Sequence, residues 1–162
     1  MRIVIAVLSG IAIEIGGIAM YLTGSYKHNL DAKSRVTLPS SFRKQLGDTL
    51  CLVPLSDCVL GFTPESHKTW IESFFPGGIN PRNRRDVQLK AALLARTISV
   101  DIDSAGRLAL SKLDEKTRSR LGIAHELAIV GVDDHLEIWN AERFEEQMEN
   151  FDDNIDALMF DE

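Results

Sequence analysis

Two Asp-x-x-x-Arg motifs carry the densest chemistry in this sequence. The first is Asp31-Ala32-Lys33-Ser34-Arg35, followed by the alternating run Val36-Thr37-Leu38. The second is Asp103-Ser104-Ala105-Gly106-Arg107, followed by Leu108-Ala109-Leu110. Arginine suits bidentate contact with guanine edges and with phosphates, and an Asp four residues upstream could orient it at the start of a strand. A duplicated motif would present two such arginines from one chain. Lys27, His28 and Lys33 add charge, or potential charge, around the first copy. Around the second, Ser104 and Ala105 are neutral and Asp101 is acidic, so the first copy is the better face for a polyanion. The same pairs also read as surface Asp–Arg braces that pin a turn, with little net worth. Pattern alone leaves both readings open.

Catalytic chemistry has weaker footing. His28, His67, His125 and His135 are scattered without HxxxH or HExxH spacing, and there is no GxSxG elbow or P-loop. Asp101 and Asp103 share one side at strand spacing and could hold a metal or act as acid and base, but carboxylates flanking a turn explain them as well. Cys51 and Cys58 lie in apolar runs, where cysteine is usually a small hydrophobe. They lack CxxC spacing and form no disulfide framework, which points to a reducing compartment. No enzyme, metal or cofactor is expected.

The elements that must position the arginines repeat in the same order. After each motif comes a strand start, then a short helix. In the first copy Pro39-Ser40-Ser41 opens a helix over Phe42–Leu46 that Gly47 closes; in the second Ser111 caps Lys112–Leu121 and Gly122 closes it. Strand-like runs follow at Leu50–Val53 and Leu127–Val132, turns at Ser56-Asp57 and Asp133-Asp134, and second strands at Cys58–Phe62 and His135–Trp139. Both copies end on a helix start, Thr63-Pro64-Glu65 and Asn140-Ala141-Glu142. The offset grows from 72 at the motifs to 75 after the helices and 77 at the last strands. Each unit has about 45 residues, too few to bury much surface alone, so the two copies must pack together as a pseudo-dimer.

Between them, Asn80-Pro81 opens a helix to about Ala95, with Leu89, Ala92, Leu93 and Ala95–Arg96 as one buried stripe. From Glu145 the chain is acidic and reads as a helix fraying into a tail. This divides the chain into residues 1–20, an apolar extension; 21–70, the first unit; 71–95, a helical connection; 96–143, the second unit; and 144–162, an acidic tail.

The chain has 162 residues and a formal charge of −6, is 44% hydrophobic and 26% charged, and so is globular rather than disordered or collagenous. The net charge hides a segregation. Residues 21–120 hold 16 Lys/Arg against 10 Asp/Glu, whereas residues 121–162 hold one basic residue and 13 acidic ones. A basic body with an acidic end is compatible with a polyanion, and also with an ordinary solvated surface. The run Ile3–Met20 is long enough to raise a membrane or export segment. Glu14 in its middle would cost about 2.5–3.5 kcal/mol in a spanning helix. Met20 stands where the composition turns ordinary, so residues 1–20 read as a start assigned too far upstream. A genuine membrane or export segment, or a strand or helix on the fold, are the alternatives.

The run Tyr26-Lys27-His28-Asn29-Leu30-Asp31-Ala32-Lys33-Ser34-Arg35-Val36-Thr37-Leu38-Pro39, together with Asp103–Arg107 and Val130-Gly131-Val132 leading to Leu136-Glu137-Ile138-Trp139, resembles the MraZ family of bacterial transcriptional regulators. The resemblance covers about Met20 to Arg143. It implies an α+β, β-rich fold: two tandem AbrB-like swapped-hairpin units of the double-split β-barrel kind, with peripheral helices. It implies a ring-shaped homo-oligomer that binds short direct repeats in double-stranded promoter DNA and represses the cell-division and cell-wall gene cluster. It also implies a cytoplasmic, nucleoid-associated protein that begins near Met20, with no membrane partner unless residues 1–20 are genuine. Carried over by position, Asp31/Arg35 and Asp103/Arg107 fall on the family motif, with Lys33 inside the first. Ser34 stands where the family usually has Gly, so the turn asks Ser for a positive φ. Ser111 replaces the Pro that commonly follows the second motif. On this reading Arg35 and Lys33 engage one repeat per subunit, Arg107 supports the loop or adds a phosphate contact, and linkage in a ring raises the effective concentration. The rival is an AbrB-like structural or antitoxin-like interaction module, whose Asp–Arg pairs only brace turns.

Overall fold

The computed structural model describes residues 20–160, and before them the backbone of strands β1 (Val4–Leu8) and β2 (Ile11–Glu14), which pair with each other as an antiparallel ribbon. Whether residues 1–20 are an upstream extension or a membrane segment falls largely outside the described residues. Among those that are described, no helix is long and apolar enough to cross a membrane.

From Met20 onward the chain is α+β, with antiparallel pairing throughout its sheets. The first copy supplies β3 (Ser25–Asn29), β4 (Arg35–Thr37), β5 (Thr49–Pro54) and β6 (Val59–Phe62). The second supplies β7 (Ile98–Asp101), β8 (Arg107–Ala109), β9 (Glu126–Val132) and β10 (His135–Asn140). The large sheet runs β3-β9-β10-β6-β5-β7, and β4 pairs with β8 in a separate ribbon. Exchanging the two copies reverses that order without changing it. The register obeys the same symmetry: Asn29 pairs with Glu126 as Asp101 pairs with Thr49, and Leu136 pairs with Gly61 as Ile138 pairs with Val59. A pseudo-twofold therefore passes through the Val36–Leu108 and Leu60–Glu137 pairs. Sequence duplication has become interleaving, because each copy's outer strand completes the other copy's hairpin.

The core lies along this axis. Val36 and Leu108, Leu38 and Leu110, Leu46 and Leu121, Leu50 and Leu127, and Val59 and Leu136 are buried as symmetry-related pairs. The alternating residues Arg35, Thr37 and Arg107 consequently face outward from the ribbon, while Ala109 is half-buried against the core. On the far side of the sheet Val53, Cys58, Leu60 and Phe62 form a second cluster against Trp70 and Trp139.

Helices α1 (Ser40–Arg43), α2 (Pro64–Ser73), α3 (Arg84–Ala95), α4 (Glu115–Leu121), α5 (Ala141–Asp152) and α6 (Ile155–Phe160) decorate the sheet. Thr63 and Asn140 cap α2 and α5 as the sequence indicates, accepting from the amides of Ser66 and Arg143. Four local expectations are corrected. Gly47 does not close the first helix in a left-handed conformation; α1 ends at Lys44, which is still right-handed, and a turn runs on to Leu46. Ser111 is not a cap. Leu110–Lys112 forms a 3-10 turn that buries Leu110 and Leu113, and Asp114 caps α4 through the Thr117 amide, with Gly122 closing it at φ 67°. The connecting helix starts at Arg84, capped by Asn83, because Asn80 spends its side-chain oxygen on the Arg82 amide. Its stripe is narrower than expected: Leu93 is buried and Leu89 half-buried against Ile71 and Phe75 of the α2 region, while Ala92, Ala95 and Arg96 are exposed. From Glu145 onward the chain is helical as α5 to Asp152 and, after a turn at Asp153-Asn154, again as α6 to Phe160.

Candidate nucleic-acid interface

Each Asp-x-x-x-Arg segment closes into the same tight turn. The Asp31 amide donates to the Arg35 carbonyl at 2.9 Å and the Ser34 amide to the Asp31 carbonyl at 3.0 Å. Asp31 Oδ1 accepts from the amides of Lys33 and Arg35, both at 2.9 Å, and Oδ2 accepts from Arg35 Nε at 2.7 Å. In the second copy Asp103 Oδ1 accepts from Ala105 and Arg107 at 3.0 and 2.9 Å, and Oδ2 from Arg107 Nε at 2.8 Å. The amide of Arg35 or Arg107, above all, holds the respective carboxyl below the usual aspartate range, and the guanidinium adds to it. Such a turn needs its fourth residue in the left-handed region; Ser34 has φ 58° and Gly106 φ 76°.

The consequence for the arginines is orientation. The Asp takes the Nε edge of each guanidinium, and among the described residues no hydrogen bond engages either arginine's Nη1 or Nη2. Those two nitrogens form the end that meets guanine O6 and N7, or two phosphate oxygens. Arg35 pairs across the ribbon with Ala109, and Arg107 with Thr37, so the arginines are diagonal neighbours on the outer face. Diagonal neighbours of this kind stand roughly 7–8 Å apart, within joint reach of one ligand for side chains as long as arginine. Their side chains are 26% and 36% exposed, which leaves the tips in reach of a ligand while the stems are held.

Lys33 lies exposed at the crest of the first turn. His28 is half-buried and Lys27 exposed on β3. Lys27 forms an ion pair with Glu145 of α5, so its charge is already matched. The structure thus brings Lys33, Arg35, Arg107, Asp31 and Asp103 together at the ribbon and places Lys27 and His28 on the adjoining edge strand.

Two basic residues that sequence reasoning missed complete the ribbon's surroundings. Arg118 of α4 reaches Ser34 Oγ at 3.5 Å through Nη1 and donates to the Leu113 carbonyl at 3.1 Å through Nε. Arg43, at the end of α1, reaches the Ser104 carbonyl at 3.5 Å. These residues are 75 apart, the offset of the repeated helices, and each leans on the other copy's turn. That offset was the available signal.

The alternative chemistries fare less well in the geometry. Asp101 accepts from Thr49 Oγ1 at 2.9 Å while Asp103 serves its own turn, so the two carboxylates do not converge. Among the described residues no group of three or more His, Cys, Asp or Glu is placed to hold a metal ion. Burial, with Glu137 and Asp57 nearby, pushes the Cys58 thiol up to about 12, away from nucleophilic use.

Comparison with known proteins agrees with the motif. Residues 21–75 and 93–160 match the family described as "MraZ protein, putative antitoxin-like". A protein of Pediococcus pentosaceus named transcriptional regulator MraZ is 32% identical over 138 residues, covering 83% of this chain and 92% of its own length. Proteins of the same name from Mycoplasmoides gallisepticum and Ligilactobacillus salivarius are each 30% identical, over 80% and 84% of this chain and 89% and 95% of their own lengths. With both repeats inside the matched segments and relatives matched nearly end to end, this chain belongs to the MraZ family.

Proposed function

We propose that the chain is a transcriptional regulator that binds double-stranded DNA sequence-specifically through the β4–β8 ribbon. The observation that carries this reading is the pair of arginines whose Nε edges are fixed by Asp31 and Asp103 while their Nη ends stay uncommitted. A mere turn brace needs only the carboxylate–amide contacts, which Asp31 and Asp103 already make with the backbone. Arg35 and Lys33 read one short repeat per subunit, and Arg107 adds a phosphate or second base contact. Arg43 and Arg118 raise the local positive potential, and Lys27 and His28 extend the surface along β3. The pseudo-twofold interleaving supports tandem AbrB-like units spanning 21–70 and 96–143, joined by 71–95 and followed by an acidic tail from 144. The family resemblance extends the reading: a cytoplasmic, nucleoid-associated ring of subunits on direct repeats, repressing the cell-division and cell-wall gene cluster. The ring makes weak single contacts sufficient.

The test is fluorescence anisotropy of the protein on DNA from upstream of its own gene, against shuffled DNA, at two salt concentrations. The reading expects tight binding to the native DNA alone, weakening as salt rises through counterion release. Arg35→Ala should cost about ten- to a hundredfold in specific affinity while the fold persists. Equal binding to both DNAs, or none, would overturn it.

A further inference from the structure

Two helical surfaces of opposite charge are left with apolar side chains uncovered. The first is the end of the chain. Met148 and Phe151 of α5 are each 40% exposed, and Leu158, Met159 and Phe160 of α6 are 65–68% exposed, with no buried residue in α6. A helix of six residues has little stability in water without a packing partner. Residues 141–160 hold seven acidic residues and one basic, a net charge of −6.

The second surface is the outer side of α3. That helix turns Leu89 and Leu93 toward α2. On the opposite side it carries a second apolar stripe, Val87, Ala91 and Leu94, at the i, i+4, i+7 spacing of one helix face. Val87 and Leu94 are 43% and 45% exposed. Residues 82–96 hold five basic residues and one acidic, a net charge of +4. A solvent-facing helix side has no need of an apolar stripe, here bordered by Arg84 and Lys90, and neither surface is covered within the described chain.

We propose that α5–α6 of one copy docks on the outer face of α3 of a second copy. Apolar stripe meets apolar stripe, and the acidic flanks meet Arg84 and Lys90, which border the α3 stripe on either side. Since the two surfaces differ, the contact is heterologous: every copy offers one of each, and successive contacts close a ring or grow a filament. This assigns the interface within the oligomeric reading given above and rests on that reading.

The experiment is light scattering after size exclusion on the full chain and two variants, with circular dichroism to establish folding. Val87→Glu with Leu94→Glu spoils the α3 face; Phe151→Lys with Leu158→Lys spoils the tail face. All four positions are exposed, so the fold should survive. Wild type should be oligomeric and each variant alone a monomer of about 18 kDa. Mixed, the variants retain one intact interface between them and should form a 1:1 complex that stops at two chains. A monomeric wild type, a variant that stays oligomeric, or a mixture without the heterodimer would overturn the proposal. Promoter binding is read separately by anisotropy. A monomeric wild type that still binds its DNA sinks the interface alone, and an assembled protein that binds none sinks the DNA reading alone.

Discussion

The guanidinium of Arg43 occupies the space that a side chain at Gly106 would fill. A Cβ built there would stand 2.1–2.5 Å from Nε, Cζ and Cδ of Arg43. The symmetry-related pair is Arg118 over Ser34, where the side chain is present and meets Nη1 at 3.5 Å. Each turn of one copy is thus roofed by an arginine from the other copy's helix, and the two roofs differ by one side chain.

That difference sets a first prediction. Gly106→Ala must hold a left-handed φ, at roughly 1–2 kcal/mol, and must also displace Arg43. It should lower the unfolding free energy by about that amount. Ser34→Gly relieves the same conformation in the other turn, but the glycine gains about 0.4–1 kcal/mol of freedom in the unfolded chain and loses the Arg118 contact. Its net effect should be small. Urea unfolding of both variants decides; a Gly106→Ala protein as stable as wild type would show that the two turns tolerate side chains alike.

Acid stability should report the turns directly. Asp31 and Asp103 titrate below their ordinary value, chiefly because the Arg35 and Arg107 amides bond the charged form. The unfolded chain therefore takes up these protons first, near pH 3.9. The stabilisation is complete above that pH and is lost as pH falls through the lower folded values. Asp31→Asn and Asp103→Asn should be less stable than wild type at neutral pH, and the deficit should shrink below about pH 4. A deficit that stays constant down to pH 2 would mean that the carboxylate charge contributes nothing.

The two turns were legible because everything that makes them lies within five residues: an Asp that bonds amides two and four positions on, and a positive-φ position. The Thr63 and Asn140 caps were legible for the same reason. What sequence did not reveal is set at longer range. Ser111 and Asp114 are both cap-type residues, and burial of Leu110 and Leu113 decides between them. Asn80 and Asn83 compete likewise; the Asn80 side-chain oxygen accepts from the Arg82 amide, and Asn83 caps α3. Arg43 and Arg118 went unnoticed because each serves a turn more than 60 residues away in sequence. The duplication announced two units, but only the strand pairing shows that they interleave.

His67 yields a prediction in a different pH window. It lies buried at the α2–α3 junction beside Phe62 and Trp70, with Nε2 at 3.1 Å from Thr97 Oγ1. The Thr97 hydroxyl donates to the Leu93 carbonyl, so Nε2 is the donor to Thr97. Burial lowers the folded ring's pKa from 6.5. Between that lower value and about 6.5 the unfolded chain binds more protons, so stability rises with pH. The contribution of the neutral ring is complete above about pH 6.5 and is lost as pH falls through the folded value. Denaturant midpoints from pH 8 to 5 should show this slope in wild type and its loss in His67→Gln. An unchanged slope in the variant would assign it to other groups.

Lys27 and Lys33 should part company in DNA binding, although both belong to the first copy's basic surface. The Lys27 ammonium is bonded to the Glu145 carboxylate, a contact that raises its pKa above the ordinary lysine value, through the hydrogen bond first and charge attraction second. A phosphate arriving there must displace Glu145 or accept a site with little net charge. Lys33 has no such partner among the described residues. Lys27→Ala should therefore change specific affinity by less than about threefold. Lys33→Ala should weaken binding more and reduce the salt-dependence slope by about 1. Glu145→Gln should release Lys27, tightening binding and steepening its salt dependence. Equal losses from Lys27→Ala and Lys33→Ala, with no gain from Glu145→Gln, would mean that the α5 contact yields freely to DNA.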